Sequence, residues 1–239
     1  MTRFIFTAIA FVSISFSFIS CNKVVGTGPA VTTTRNISNF SGISLSMDAT
    51  VNITQDSIYF VELIAQQNVL DILETKLNGS TLCLGYKNLK YVKATEPVVI
   101  NIHTPSITSL EVSGSGSMYN TQTISTSNLD LEISGSGKIS LAKIEAQKIT
   151  SQISGSGKIS ANAGFSNSVK SEISGSGDID FVSVEANDVE TETSGSGTTK
   201  VYAKSNLDAE ISGSGNVYYK GNPTIQSNIS GSGKLIKLN

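Results

Sequence analysis

Arginine, histidine and cysteine are nearly missing from this chain of 239 residues: Arg3 and Arg35 are the only arginines, His103 the only histidine, Cys21 and Cys83 the only cysteines. These scarcities exclude several kinds of chemistry. Nucleic-acid binders show a basic stripe with aromatics interleaved, whereas the lysines here are dispersed and the formal net charge is −2, so nucleic acid is not expected as a partner. There is no Gly-x-Ser-x-Gly elbow, no phosphate-binding loop and no Cys/His metal cluster. His103 sits in a strand-like run just before Pro105 without a nucleophile beside it in sequence, and it reads as a structural histidine. Cys83, in Leu82-Cys83-Leu84, reads as a small buried hydrophobe. With Cys21 assigned below to a lipid, no intramolecular disulfide is expected.

What the chain does have begins with a targeting segment. Arg3 supplies a minimal positive start, and Phe4 to Ile19 is apolar, too short and too poorly flanked for a transmembrane helix. The run ends in Phe18-Ile19-Ser20-Cys21, which resembles a bacterial lipobox: an apolar residue, a small residue at the cleavage point, then a cysteine to be diacylated. Residues 1–20 are therefore expected to be a lipoprotein signal peptide and Cys21 the lipidation site. Each buried acyl methylene contributes about 0.8 kcal/mol, so several chains together anchor stably. The expected address is the bacterial cell envelope, lipid-anchored at the outer membrane, with the membrane as a partner. Residues 21–35 contain Gly and Pro and no sustained period, which predicts a flexible tether.

Residues 36–106 are strand-like without repeating. Ile43-Ser-Leu45-Ser-Met47 and Ala49-Thr-Val51-Asn-Ile53 alternate, and Tyr59 to Leu63 and Val98 to Ile102 read as further strands. Val69, Leu70, Leu73 and Leu77 fall at helical spacing behind Asn68, which predicts a short helix over 68–76 with Asn68 as its N-cap. Asn78-Gly79 predicts a type I′ hairpin joining Thr75–Leu77 to Thr81–Leu84.

From 107 to 239 the chain repeats itself. Ser-Gly-Ser-Gly occurs seven times, with its first glycine at Gly114, Gly135, Gly155, Gly175, Gly195, Gly213 and Gly231. Fourteen of the 21 glycines lie in these motifs, so the glycine content is architectural. Six, four and two residues before each of these glycines the side chains are apolar or small, and the residues between are polar: Leu129/Leu131/Ile133, Ile149/Ser151/Ile153, Val169/Ser171/Ile173, Val189/Thr191/Thr193, Leu207/Ala209/Ile211, Ile225/Ser227/Ile229. A second inward series follows the motif, as in Ile139/Leu141 and Ile159/Ala161. Period-two strands joined by a glycine corner at a period near 20 predict an all-β fold, a parallel β-helix of about seven coils, right-handed, stacked about 4.8 Å apart. The motif serines are expected to form hydroxyl ladders.

Stacking in register builds columns of like residues. Three positions before the glycine stand Glu111, Glu132, Gln152, Glu172, Glu192, Glu210 and Asn228, with Asp130, Glu190 and Asp208 beside them two positions earlier. Oxygen ligands suit Ca²⁺, so Glu132, Glu172, Glu192 and Glu210 are the metal candidates, weighed against a solvated face that keeps the sheet soluble. No other cofactor is expected. Tyr119, Tyr202 and Tyr218 are candidates for a glycan-binding groove against the bland reading of ordinary surface tyrosines. The pairs Asp178/Asp180 and Glu190/Glu192 can in principle serve as catalytic carboxylates, but nothing in the sequence selects them.

With these residues in view, the chain resembles the head GIN domain family, adhesin-like proteins common among envelope lipoproteins. The marks are Arg35-Asn-Ile-Ser-Asn-Phe40-Ser-Gly-Ile43, Leu77-Asn-Gly79-Ser-Thr-Leu82, and Ile102-His-Thr-Pro105 running on to the first glycine motif. The resemblance covers roughly 34–239 and implies a β-helical envelope protein with an adhesive or binding role; it carries over no catalytic or binding residue. The expectation is a non-catalytic binding, adhesin-like or structural module whose partners are a glycan or an envelope protein. The alternatives are a glycan-active lyase or hydrolase on a β-helix, and an envelope signalling or sensing partner.

Overall fold

Strands that alternate over one buried face, joined by glycine corners, can bury that face only against copies of themselves. A computed structural model describes residues 23–87 and 91–239, whose regular structure is almost entirely β. The expected signal peptide and Cys21 lie outside the described residues. In chain order the first part holds β1 (Val24–Val25), β2 (Ala30–Arg35), β3 (Gly42–Leu45), β4 (Thr50–Gln55), β5 (Phe60–Gln66), a single helical turn α1 (Gln67–Leu70), β6 (Leu73–Asn78), β7 (Thr81–Tyr86), β8 (Val92–Lys93) and β9 (Val99–Thr104). The repeats follow as β10 (Ser109–Gly114), β11 (Ser117–Gly135), β12 (Lys138–Gly155), β13 (Lys158–Ala161), β14 (Gly164–Gly175), β15 (Asp178–Gly195), β16 (Thr198–Gly213), β17 (Asn216–Lys220), β18 (Thr224–Gly231) and β19 (Lys234–Lys237).

The repeats form the expected parallel solenoid, of about six turns between its seven corners. Each triplet lies on its counterpart in the next coil: Leu129 on Ile149 and Ile133 on Ile153, then Val169, Val189, Leu207 and Ile225 in one continuous file. The stack runs on into the first part, because β10 pairs in parallel with β3 and β11 with β4, while β3 and β4 rest on β7 and β9. Below that layer the pairing turns antiparallel: β6 on β7, β5 on β9, β2 on β5. One continuous core therefore runs from Phe40 to Ala209.

Residues 24–35 differ from the expected tether. β1 pairs with β8, and β2 lies antiparallel along β5 with Thr33 opposite Leu63. Gly28 and Pro29 only bend the chain between the two strands, and side chains hold the bend: the Thr27 N–H donates to Asn68 Oδ1 at 3.0 Å, and Asn68 Nδ2 donates to the Val25 carbonyl at 2.7 Å. Asn68 is thus not the helix cap. The turn α1 starts after Gln66 with no side-chain cap and ends at Leu70, and the last four residues of the expected helix, Leu73–Lys76, belong to strand β6, whose pairing with β7 overrides the helical spacing. Leu73 is buried and Leu77, on the same face four residues further towards the hairpin loop, is exposed. The β6–β7 hairpin forms, but its two-residue loop is Gly79-Ser80, with positive φ at Gly79 alone. That is the II′ pattern and not the I′ one. Cys83 faces away from Leu82 and Leu84 and is half-buried, a correction to its reading as a core residue.

The corner divides its work between two glycines. The first has φ between +120° and +128° in all seven copies, and at Gly155 a Cβ would stand 2.4 Å from the Gly135 carbonyl oxygen. The second is pressed against the coil below, so that a Cβ on Gly157 would meet Ile133 Cγ2 at 2.5 Å. The expected hydroxyl ladder does not form among the described motif serines, which face solvent. Backbone does that work. The Ser136, Ser156, Ser176, Ser196, Ser214 and Ser232 N–H groups donate to the corner carbonyl of the preceding coil at 2.8–2.9 Å. A hydroxyl contact appears instead inside the core, where Ser151 and Ser171 meet at 2.9 Å; Thr191, next in that file, has a buried Oγ1 with no partner.

Candidate functional site

Alternation that turns one set of side chains inward turns the other set out, so two ruled faces flank the corner. On the face before it, register brings Glu111, Glu132, Gln152, Glu172, Glu192, Glu210 and Asn228 into one file, as the spacing predicts. The neighbouring file runs Asp130, Thr150, Lys170, Glu190, Asp208, Gln226. Lys170 neutralises the middle: its ammonium lies 2.8 Å from Glu190 Oε1 and 3.0 Å from Glu172 Oε1. Those hydrogen bonds, Glu190's first, raise the Lys170 pKa above its ordinary value. Of the four metal candidates, Glu172 is thereby engaged by a lysine, while Glu192 and Glu210 are adjacent and exposed, and Glu132 lies between Glu111 and Gln152. Among the described residues no group of three or more His, Cys, Asp or Glu is arranged to hold a metal ion.

The face after the corner is different in kind. One file runs Lys138, Lys158, Asp178, Thr198, Asn216, Lys234 and the next Tyr119, Ser140, Ser160, Asp180, Lys200, Tyr218, Ile236. Here the surface is hollowed into an open groove of about 530 Å³ lined by Lys158, Asp178, Asp180, Val182, Thr198, Lys200, Tyr218 and Leu238. Lys200 Nζ lies 3.4 Å from Asp180 Oδ2, and the Val182 N–H donates to Asp180 Oδ1 at 3.4 Å. The groove thus offers carboxylates and ammonium groups side by side, with a phenol at one edge. Such a surface can take hydroxyls on the carboxylates, an acidic group on the lysines and a ring face on the tyrosine.

Of the candidate tyrosines, Tyr218 lies in the groove, while Tyr119 and Tyr202 lie beneath lysines, Lys138 at 5.3 Å and Lys220 at 5.0 Å from the ring centres. Asp178 and Asp180 are brought together with Tyr218, which sequence reading considered separately. Lys158 and Lys200 were missed as members of the site. The signal was available: aligning the residues after each motif, rather than before it, puts these side chains on adjacent coils. Glu190 and Glu192 fall on the other face, beside Lys170.

Two further places carry polar groups. His103 Nδ1 lies 3.1 Å from Asp56 Oδ2, and its ring stands nearly perpendicular to that of Phe60 with ring centres 5.6 Å apart. That hydrogen bond, with the Ser57 N–H, holds the Asp56 carboxyl below its usual 3.8. Beside the first corner, a hollow of about 430 Å³ is bordered by Asp48, Tyr86, Tyr91, Lys93 and Ser113 to Ser115. Burial, and then Asp48, pushes the Tyr86 phenol up to about 12.

Comparisons with known proteins agree on the fold. A family described as "Putative auto-transporter adhesin, head GIN domain" matches residues 39–223. A crystal structure described as a "putative adhesin" from Bacteroides fragilis NCTC 9343 superposes with a TM-score of 0.83 at 23% identity, over 90% of this chain and 100% of that one. A "Putative lipid binding protein" from Parabacteroides distasonis ATCC 8503 gives 0.74 at 24% identity over 91% and 100%, and a "putative adhesin" from the same strain gives 0.76 at 22% over 91% and 100%. Identities this low speak for a shared solenoid and not for a shared ligand. No curated protein matches the sequence.

Proposed function

Because the chain belongs to the head GIN domain family, we propose that it is an adhesin-like, non-catalytic module of the bacterial envelope, held at the outer membrane by a lipid on Cys21, and that it binds a polar glycan in the groove after the corners. The observation that carries the ligand class is the mixture of groups in that groove. Asp178, Asp180, Lys158, Lys200 and Tyr218 belong to consecutive coils, so they form a row along the solenoid rather than a point. A row of alternating charge with an aromatic edge fits an extended chain of hydroxyl-rich, charge-bearing sugars. A lipid tail would need an enclosed apolar hollow, whereas this groove is open and its apolar floor of Val182 and Leu238 is edged with charge.

Binding to an array of bacterial and host glycans tests the ligand. The wild-type chain is expected to retain acidic or zwitterionic polysaccharides, and Asp180→Asn with Tyr218→Ala is expected to release them. Retention of the same glycans by the double variant, or no glycan retained by the wild type, would overturn the assignment. Incubating each retained glycan with the protein and measuring new reducing ends decides against the competing lyase or hydrolase if none appear. Incorporation of an alkyne fatty acid, abolished by Cys21→Ser, tests the anchor. The sensing alternative predicts capture of a membrane protein by the wild type that does not depend on the groove residues.

A further inference from the structure

The last coil of the solenoid breaks the pattern of every coil before it, and each departure points the same way. Strand β18 repeats the inward triplet as Ile225/Ser227/Ile229, yet Ile225 and Ile229 are 41% and 42% exposed, where Leu207 and Ile211 in the coil below are 1% and 2% exposed. β18 pairs with β16 along one edge, and no strand among the described residues lies along the other. Exposed strand edges are ordinarily blunted by charge, proline or a bulge. β18 has none of these between Thr224 and Gly231. The charged files stop here instead: Glu210 is followed by Asn228, and Asp208 by Gln226. The companion strand β19, by contrast, carries a lysine at each end, Lys234 and Lys237.

We propose that β18 is the dimer interface of this protein, pairing antiparallel with β18 of a second copy about a two-fold axis through Ser227. The strand reads Thr224-Ile-Gln-Ser-Asn-Ile-Ser230, which is nearly the same in both directions about its centre. Antiparallel pairing on that centre sets Ile225 against Ile229 of the second copy, twice over, and Gln226 against Asn228 of the second copy, with Ser227 meeting itself. Apolar side chains then stay on the inner face and neutral amides, which can donate and accept, meet on the outer one. A glutamate at 228, as in the coil below, would bring carboxylates toward each other across the axis, so the change to amides suits the self-pairing. The two-fold is the symmetry such a self-complementary strand requires. The opposite end of the same solenoid already shows that its parallel layers accept an antiparallel strand: β6 closes β7, and β5 closes β9.

A disulfide measures both contact and register. Directly opposed residues in an antiparallel pair have Cα atoms roughly 4.5–5.5 Å apart, within the span of a disulfide. Ser227→Cys in a Cys83→Ser background is expected to yield a species of twice the chain mass on a non-reducing gel of the producing cells. Ser212→Cys, an exposed serine one coil down, is expected to give none. Adding Asn228→Lys to Ser227→Cys is expected to reduce the linked fraction roughly two- to fivefold, because it sets two ammonium groups diagonally across the axis on the outer face, where like charges repel. Equal linking at 212 and 227 would indicate random collision and overturn the interface. So would an adduct whose mass is not twice that of the chain, which would give the edge to a different partner, and so would the absence of any linked species at 227.

Discussion

From Ser109 to Gly213 nearly every strand residue lies on its own equivalent, whereas between Val24 and Thr104 each strand meets neighbours of a different kind. The two regions solve the same problem by opposite means. The repeats fill their interior with files of like residues, aliphatic at Leu129, Ile149, Val169, Val189 and Leu207 and small at Ser151, Ser171, Thr191 and Ala209, and rely on backbone ladders that every coil provides to the next. The first part fills its interior without such files: Phe40, Leu63, Leu82, Leu84, Ile100 and Ile102 are fully buried there. Its hydrogen bonds are made once each. Gln66 is buried and donates to the Gly28 carbonyl at 2.7 Å and Thr95 Oγ1 at 2.9 Å, while the Thr95 N–H donates back to Gln66 Oε1 at 3.1 Å. Uniformity lets a stack continue, and individuality lets it stop.

That contrast can be broken first at the corners. Gly175→Ala forces a side chain into φ +127° and within 2.5 Å of the Gly155 carbonyl oxygen, and we expect a loss of more than about 3 kcal/mol in urea unfolding. Gly114→Ala has nearly the same φ, +126°, but its Cβ meets nothing within 4 Å, because no earlier corner lies beneath it. Its cost is expected near 1–2 kcal/mol. Equal losses would show that strain alone, and not stacking, demands glycine.

Next in size is Gln66→Ala, which strands the partners of one buried amide. We expect a loss of about 2–3 kcal/mol, with faster amide exchange confined to residues 24–35 and 91–95. Acceleration spread through the repeats would mean that the two regions are not separable. Thr191→Val works in the opposite direction. It removes a buried hydroxyl that lacks a partner and keeps its shape, so thermal unfolding should show a gain of about 1 kcal/mol. The smallest effect concerns the Asp56–His103 pair. The carboxyl's lowered pKa means that its contribution is present above pH 3.8 and is lost as the pH falls through the lowered value. A melting-temperature difference between wild type and Asp56→Asn should therefore exist at neutral pH and close in acid. A difference that stays constant to pH 2 would remove the carboxyl from the account.

The same contrast explains what could be read from the sequence. The repeats announce themselves because a stacked coil must repeat its reason for being there: Leu129, Ile149, Val169, Val189 and Leu207 fall inward at every turn, and all are buried. Asn68 misled because a capping residue and an amide that bridges Thr27 and Val25 look alike in one dimension. The antiparallel closure by β2, β5 and β6 leaves no period, since each strand answers a single neighbour. Ile225 and Ile229 have the inward pattern, but alternation does not say whether another layer follows. In the groove, Asp178, Asp180 and Tyr218 were visible singly. Lys200 entered only when coils were laid on one another, because its place beside Asp180 depends on register across 20 residues.

The corner has a consequence for how such a protein changes over generations. Its turn is satisfied by any copy of itself one layer below, so a tandem duplication in the gene that repeats Asp178 through Gly197 would insert a coil already furnished with donors, acceptors and clearance on both sides. Each such event would lengthen the molecule by about 4.8 Å and lengthen the ruled face with it. Reach is then a quantity that replication slippage can adjust in whole steps, while the two ends, each built once, stay as they are.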